Sequence, residues 1–192
     1  SNLYKLSHKA NAKKFISFGS QAEYGQQQHV ILNDTPPKPI TEYGKAKLEA
    51  YQTCLRLSSK LAPHFIWLRV FSTYGPKDHP YWMIPSLIKN ILDGKRASLT
   101  KAEQKWDFLH ASDLANITAI TSEKVEKTVM YNIASGHTSE LKQTIEFIRD
   151  YINPDIPLGF GDRDYAKNQV MMLSADMTYL KEKLNWLPKK SL

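Results

Sequence analysis

The chain has 192 residues, 42% of them hydrophobic and 23% charged, ordinary proportions for one large globular domain or for one domain with a small appended lobe. Its single cysteine, Cys54, excludes an internal disulfide and a thiolate metal cage, and no run approaches the roughly 20 apolar residues of a membrane helix. The net charge of +7 is compatible with a solvated basic surface, with nucleic acid, or with a positive field for an anionic small ligand; the lysines are dispersed and lack the interleaved aromatics of a nucleic-acid stacking platform.

Ser1 to Ala12 is polar, without the apolar core of a secretory signal, so a cytoplasmic location is expected. From Leu3 the segment reads as the end of a helix. Lys14 to Gly19 is a short apolar run without alternation, the pattern of a buried parallel strand. Ser20 to Ile40, rich in Gln and Pro, reads as a long loop. Thr41 is an N-cap candidate for a helix running to about Lys60, with Leu48, Tyr51 and Leu55 at helical spacing. His64 to Val70 is a second buried strand, and Phe71 to Pro80 a loop. Strand, loop, helix, strand is part of a βαβ unit, and such units build parallel sheets. Beyond Pro80 the texture changes: a helix over about Tyr81 to Asp93, short strand-like pieces, helices near Ser112 to Thr121 and Ser139 to Ile152, and a last one over about Ala175 to Leu184. The expected fold class is α/β: part of a Rossmann-like doubly wound parallel sheet over residues 1–80, then a smaller α+β lobe over 81–192.

Tyr43-Gly-Lys-Ala-Lys47 sets a phenol and an ammonium one turn apart on one helix face. A free phenol, with a pKa of about 10, is a poor base near neutrality, and an adjacent cation favours the phenolate. Such a pair can move a proton on or off a hydroxyl that is becoming a carbonyl. The spacing alone is weak, because Tyr179 and Lys183 repeat it in an amphipathic helix that has no upstream strand and Ser; that pair reads as structural. What separates the two is Ser20, which ends a buried strand upstream of Tyr43, where ligands bind in doubly wound sheets.

Six stretches in this order carry a resemblance: Phe15–Gly25, Tyr43–Lys47, Leu68–Pro76, Trp106–Ala115, Tyr131–Gly136 and Leu184–Lys189. Through them the chain resembles the extended short-chain dehydrogenases, specifically the NAD-dependent epimerase/dehydratase family acting on nucleotide sugars. The resemblance implies NAD or NADP as cofactor and a nucleotide-sugar substrate, without nucleic-acid or membrane partners. It implies Tyr43 as general acid/base, Lys47 holding the nicotinamide ribose, and Ser20 polarising the reacting C–O bond. Phe71 and Ser72 lie where the family's chain passes nicotinamide and substrate, and Trp82 and Met83 in the segment that opens the sugar-nucleotide pocket.

Departures from the pattern narrow the chemistry. Trp106 stands where the family often has Arg, so phosphate contacts shift to basic candidates in the second lobe: Arg96, Arg163 and Lys167. Ser72 stands where many relatives carry Asn. The family's 4,6-dehydratases follow the strand-end residue with an Asp-Glu pair; here Gln21 and Ala22 occupy those positions, which favours an epimerase or 4-keto reductase. The family's opening Gly-rich turn has no counterpart. Gly159-Phe-Gly161 lies too late and outside any βαβ start, so the chain reads as a carboxy-terminal part. A sheet so shortened is expected to leave one open edge and one uncovered face. Family members dimerise through helices of which the Thr41 to Lys60 helix would be one, so a homodimer is expected. A fragment that binds sugar nucleotide without turnover is the alternative. The six histidines are scattered, and His110 beside Asp107 reads as structural, so no metal is expected.

Overall fold

A computed structural model describes residues 2–192. The chain runs α1 (Asn2–Lys9), β1 (Lys14–Ser20), a 3-10 turn (Gln21–Glu23), α2 (Glu42–Ser58), β2 (His64–Val70), β3 (Ser72–Tyr74), α3 (Met83–Leu92), β4 (Ala97–Ser98), β5 (Lys105–His110), α4 (Ala111–Lys124), β6 (Val129–Ile133), β7 (Thr138–Glu140), α5 (Leu141–Ile152), β8 (Leu158–Gly159), β9 (Met172–Leu173) and α6 (Thr178–Leu184).

The apolar runs at Lys14–Ser20 and His64–Val70 pair in parallel, and β6 continues the sheet in the order β1-β2-β6. The register puts Ser20 beside Val70 and Val70 beside Ile133, so the three strands end in one row at their carboxyl edge. Alternate side chains of β2 go to opposite faces. Phe65 and Trp67 pack with Tyr4 of α1 and Cys54 of α2; Ile66 and Leu68 pack with Ile117 of α4 and with Leu180 and Leu184 of α6. The arrangement is doubly wound and Rossmann-like, an α/β fold. The expectation of an uncovered face is corrected: α1 and α2 cover one side of β2, α4 and α6 the other. The open edge is present among the described residues, since β1 pairs only with β2 and Phe18 is 44% exposed.

The sheet is not confined to residues before Pro80, because the chain returns through α4 to lay β6 against β2. Around it sit a second sheet, in which β5 pairs parallel with β3 and β9 and antiparallel with β7, and a two-stranded β4/β8 ladder. Helices α3 and α5 close a second core over these strands, through Leu87, Ile91, Ala97, Ile145 and Ile148. β3 falls in a segment that reads as loop; its partner is 36 positions away in the register Ser72↔Phe108, invisible to local pattern. The last helix starts at Thr178 rather than Ala175 because residues 172–176 are drawn into pairing, β9 with β5 and Ala175 with Ile31, before the Asp176 carboxylate accepts the Thr178 N–H at 2.6 Å. α3 starts at Met83, after an extended Trp82.

Candidate functional site

The row formed by Ser20, Val70 and Ile133 marks the edge at which open α/β sheets bind ligands. Directly after β1, Ser20 caps the 3-10 turn: its Oγ accepts the Ala22 N–H at 3.2 Å, and its own N–H donates to Glu23 Oε1 at 2.8 Å. α2 begins against this turn. Thr41 Oγ1 accepts the Gly44 N–H at 3.0 Å, and a side chain at Gly44 would collide with the Ala22 carbonyl. The glycine between Tyr43 and Lys45 is therefore what lets α2 touch the Ser20 turn.

On α2, Lys47 Nζ donates to the carbonyl of Phe18 at 2.9 Å and lies 5.8 Å from the centre of the Tyr43 ring. Tyr43 is 57% exposed, its phenol open to a ligand. It borders a cleft of about 760 Å³ whose walls include Gln21, Phe71, Ser72, Trp82, Met83 and Arg163. The structure thus brings most of the sequence-predicted residues to one cleft, with Ser20 and Lys47 on the turn and helix beside it. Two do not line it. Arg96 is held by the Asp162 carboxylate in a two-point ion pair, Nη2 to Oδ1 at 2.9 Å with a second, shorter contact from Nη1 to Oδ2. Lys167 is exposed outside the cleft wall. Arg163 reaches the cleft rim, its Nε donating to Ser98 Oγ at 3.3 Å.

Beneath Ser20 lies a polar knot that the sequence reading missed. Arg69, inside the β2 apolar run, meets Glu23 at 2.6 and 2.9 Å, and Trp67 Nε1 donates to the same carboxylate at 3.1 Å. The Arg69 guanidinium also covers the Tyr24 ring at 4.4 Å, and Tyr24 donates to Asn132 at 2.7 Å. Burial pushes the Tyr24 phenol up, against the opposing pull of Arg69, so Tyr24 stays neutral. The available signal was Arg69 alone, a charge inside an apolar strand run that needs a buried acidic partner; that the partner is Glu23, 46 positions earlier, only the fold shows.

The other matched stretches are joined in the same way. Asp107 accepts the Ser135 and Gly136 N–H groups, each at 2.8 Å, and burial holds its carboxyl above the ordinary range against those two bonds. Asp113 accepts the N–H groups of Lys189 and Lys190, and Asn116 accepts from Trp186 Nε1 at 2.8 Å. His110 caps α4 by accepting from Ser112 N at 3.1 Å. Gly159 sits in the β4/β8 ladder, packed under Arg96 and Asp162, and forms no phosphate loop.

Comparison with known proteins matches residues 1–134 to the NAD dependent epimerase/dehydratase family, and the chain belongs to that family. A UDP-glucose epimerase of Bacillus subtilis (strain 168), the uncharacterised YtcB, is 26% identical over 182 residues, covering 93% of this chain and 56% of the relative. A UDP-glucose 4-epimerase of Corynebacterium glutamicum is 24% identical over 200 residues, covering 95% of this chain and 60% of its own length. Among solved structures, the UDP-glucose 4-epimerase of Thermotoga maritima with UDP-glucose superimposes with a TM-score of 0.90 at 24% identity, over 98% of this chain and 62% of that one. The Bordetella bronchiseptica enzyme WbmG with NAD and UDP gives 0.85 at 22% identity, over 100% and 59%. At these identities the structural likeness shows the shared fold. The chain spans less than two thirds of the length of each of these relatives. Among the described residues no helix is long and apolar enough to cross a membrane.

Proposed function

We propose that this chain carries the catalytic Tyr/Lys pair and the substrate cleft of an NAD(P)-dependent nucleotide-sugar epimerase or 4-keto reductase. The observation that carries this reading is the exposed Tyr43 on the border of a cleft at the carboxyl edge of a parallel sheet, with Lys47 one turn on. The residues at this edge fit the nicotinamide-ribose end of a dinucleotide. Lys47 uses one N–H on Phe18 and keeps two for ribose hydroxyls, and the half-exposed Phe18 offers apolar surface for a flat ring, with the buried Phe71 behind the cleft wall. NAD or NADP, when bound there, supplies the hydride acceptor or donor.

The chain's own residues handle the proton. Tyr43 takes the proton of a sugar hydroxyl as that carbon becomes a carbonyl, and returns it in the reverse direction. The Lys47 ammonium stabilises the phenolate form on the same helix face. Ser20 is the second donor for the reacting oxygen, once its Oγ–H, free while Oγ accepts from Ala22, turns to the substrate. Arg163 and Ser72 hold the anionic and polar parts of the nucleotide sugar between Trp82 and Met83. Dehydration is disfavoured because the cleft has Gln21, an amide, where an acid is needed to expel water. Exposed Leu3 and Leu6 of α1 and Leu55 of α2 support a homodimer through these helices.

The test is to incubate the purified protein with UDP-sugars and either cofactor, with Tyr43→Phe alongside. Interconversion without net consumption of reduced cofactor assigns an epimerase, and stoichiometric consumption a reductase. Sugar-nucleotide binding without turnover leaves the alternative, a binding fragment.

A further inference from the structure

The cleft divides its charge between two places. Of the side chains on its walls, the only acidic one is Asp78 and the only basic one Arg163. Helix α3 runs between them. Asp78 lies on the connection that enters its N-terminus, and Arg163 donates to Ser98, beyond the turn at its C-terminus. Met83, Ser86, Leu87 and Asn90 of α3 line the wall along the way, and a helix of 10 residues spans about 15 Å. The Asp78 side chain is half-buried and secured at one oxygen, Oδ1 accepting the His79 N–H at 2.7 Å, while the Asp78 N–H donates to the Gly75 carbonyl at 3.3 Å. Among the described residues no donor reaches Oδ2, and no cationic side chain forms an ion pair with this carboxylate. A carboxylate fixed on a ligand cleft without a cation of its own accepts further neutral donors and repels a second anion.

We propose that Asp78 is a specificity-determining residue of the cleft, its carboxylate accepting hydroxyl groups of the sugar and excluding a sugar that carries a carboxylate of its own. This rests on the nucleotide-sugar reading above and narrows its substrate class to nucleotides of neutral hexoses. The diphosphate takes the Arg163 end, where the one basic side chain of the wall stands, and the sugar is left to the end that holds Asp78. Like charges facing each other in a half-buried cleft repel more strongly than in bulk water, because less solvent screens them. Tyr81 and Trp82, exposed on the same rim, offer flat apolar faces and no charge to relieve that repulsion; the His79 ring lies against them, 5.3 and 6.2 Å between centres.

Isothermal titration with UDP-glucose, UDP-glucuronic acid and UDP, for wild type, Asp78→Asn and Asp78→Ser, tests this. At low salt the wild type is expected to bind UDP-glucose about tenfold more tightly than the uronate, the size of one like-charge contact at a partly exposed site. Both variants keep an acceptor for the His79 N–H and lose the charge, so their affinity for the uronate is expected to rise about tenfold and the preference to vanish. UDP, which has no sugar, is expected to bind all three proteins alike and so reports that the cleft of each variant is intact. Equal affinity of the wild type for the two sugar nucleotides, or a preference that survives in both variants, overturns the inference while leaving the proposed function standing. So does a gain toward UDP equal to the gain toward the uronate, which would set the carboxylate against the phosphates. Failure of the wild-type protein to bind any of the three removes the nucleotide-sugar reading and this inference together.

Discussion

Arg69 and Glu23 close an ion pair beneath the Ser20 turn, 2.6 Å from Nη2 to Oε2, with side chains 2% and 0% exposed. The carboxylate that receives Arg69 also receives the backbone N–H of Ser20, so a buried charge and the strand-end serine share one anchor. Removing one partner leaves an uncompensated buried charge; removing both leaves a volume that apolar groups can fill.

Arg69→Met is therefore expected to destabilise by about 3–5 kcal/mol, and the double variant Glu23→Leu/Arg69→Met to recover much of that loss. Denaturant unfolding checks the pair. If the double variant is no more stable than the single, the knot contributes more than its charge balance. The double variant is still expected to lose turnover, because Ser20 has lost the carboxylate that fixes its backbone.

Tyr43/Lys47 and Tyr179/Lys183 have the same geometry: in each, the lysine nitrogen lies 5.8 Å from the ring centre. Only the surroundings differ. Tyr179 packs on Tyr131 at 5.7 Å against the main core, whereas Tyr43 borders the cleft. Tyr43→Phe is expected to lower turnover by about 10²–10⁴-fold with little change in melting temperature, the range for loss of a positioned acid/base. Tyr179→Phe is expected to keep turnover. A steady-state assay of both variants decides, and equal losses would refute the assignment of Tyr43.

Much of this was legible in the chain. β1, β2, Thr41 as a cap and the helix behind it follow from short unalternating apolar runs and a capping residue, which are local signals. β3 and β9 were not legible, because three- and two-residue strands exist only through partners far away in sequence. That Tyr43 and Lys47 stand one turn apart on one helix was visible from their spacing. The Glu23–Arg69 pair and the Asp107 cap on Ser135 and Gly136 were not, since each is a relation between separate segments. The matched stretches turn out to be the ends of those relations: Glu23 ties the first to the third, Asp107 the fourth to the fifth, and Asp113 the fourth to the last.

Gly44 makes a sharper claim about packing. A methyl group there would enter the Ala22 carbonyl and press on Pro39. Alanine normally favours a helix over glycine by about 1 kcal/mol. Gly44→Ala is nonetheless expected to destabilise, because α2 must retreat from the Ser20 turn, and to reduce kcat by moving Tyr43 relative to Ser20. A stabilised, fully active Gly44→Ala protein would mean the close approach is dispensable.

The Arg96–Asp162 clip gives a pH-dependent prediction. The hydrogen bonds from Arg96 hold the Asp162 carboxyl below its ordinary value of 3.8. A carboxylate with a depressed folded-state pKa contributes stability that is present above the ordinary value and lost as pH falls through the depressed one. Asp162→Asn is therefore expected to melt lower than wild type at neutral pH, with the gap closing as the pH falls below 3.8. Both partners are partly exposed, so the gap is expected to be small and to shrink in high salt. Thermal melts of both proteins across this range measure it. Closure of the gap would identify the clip as an electrostatic fastening of the β4/β8 ladder. A gap that persists in strong acid would assign the loss to packing over Gly159 instead, where Asp162 fills the space a side chain would take.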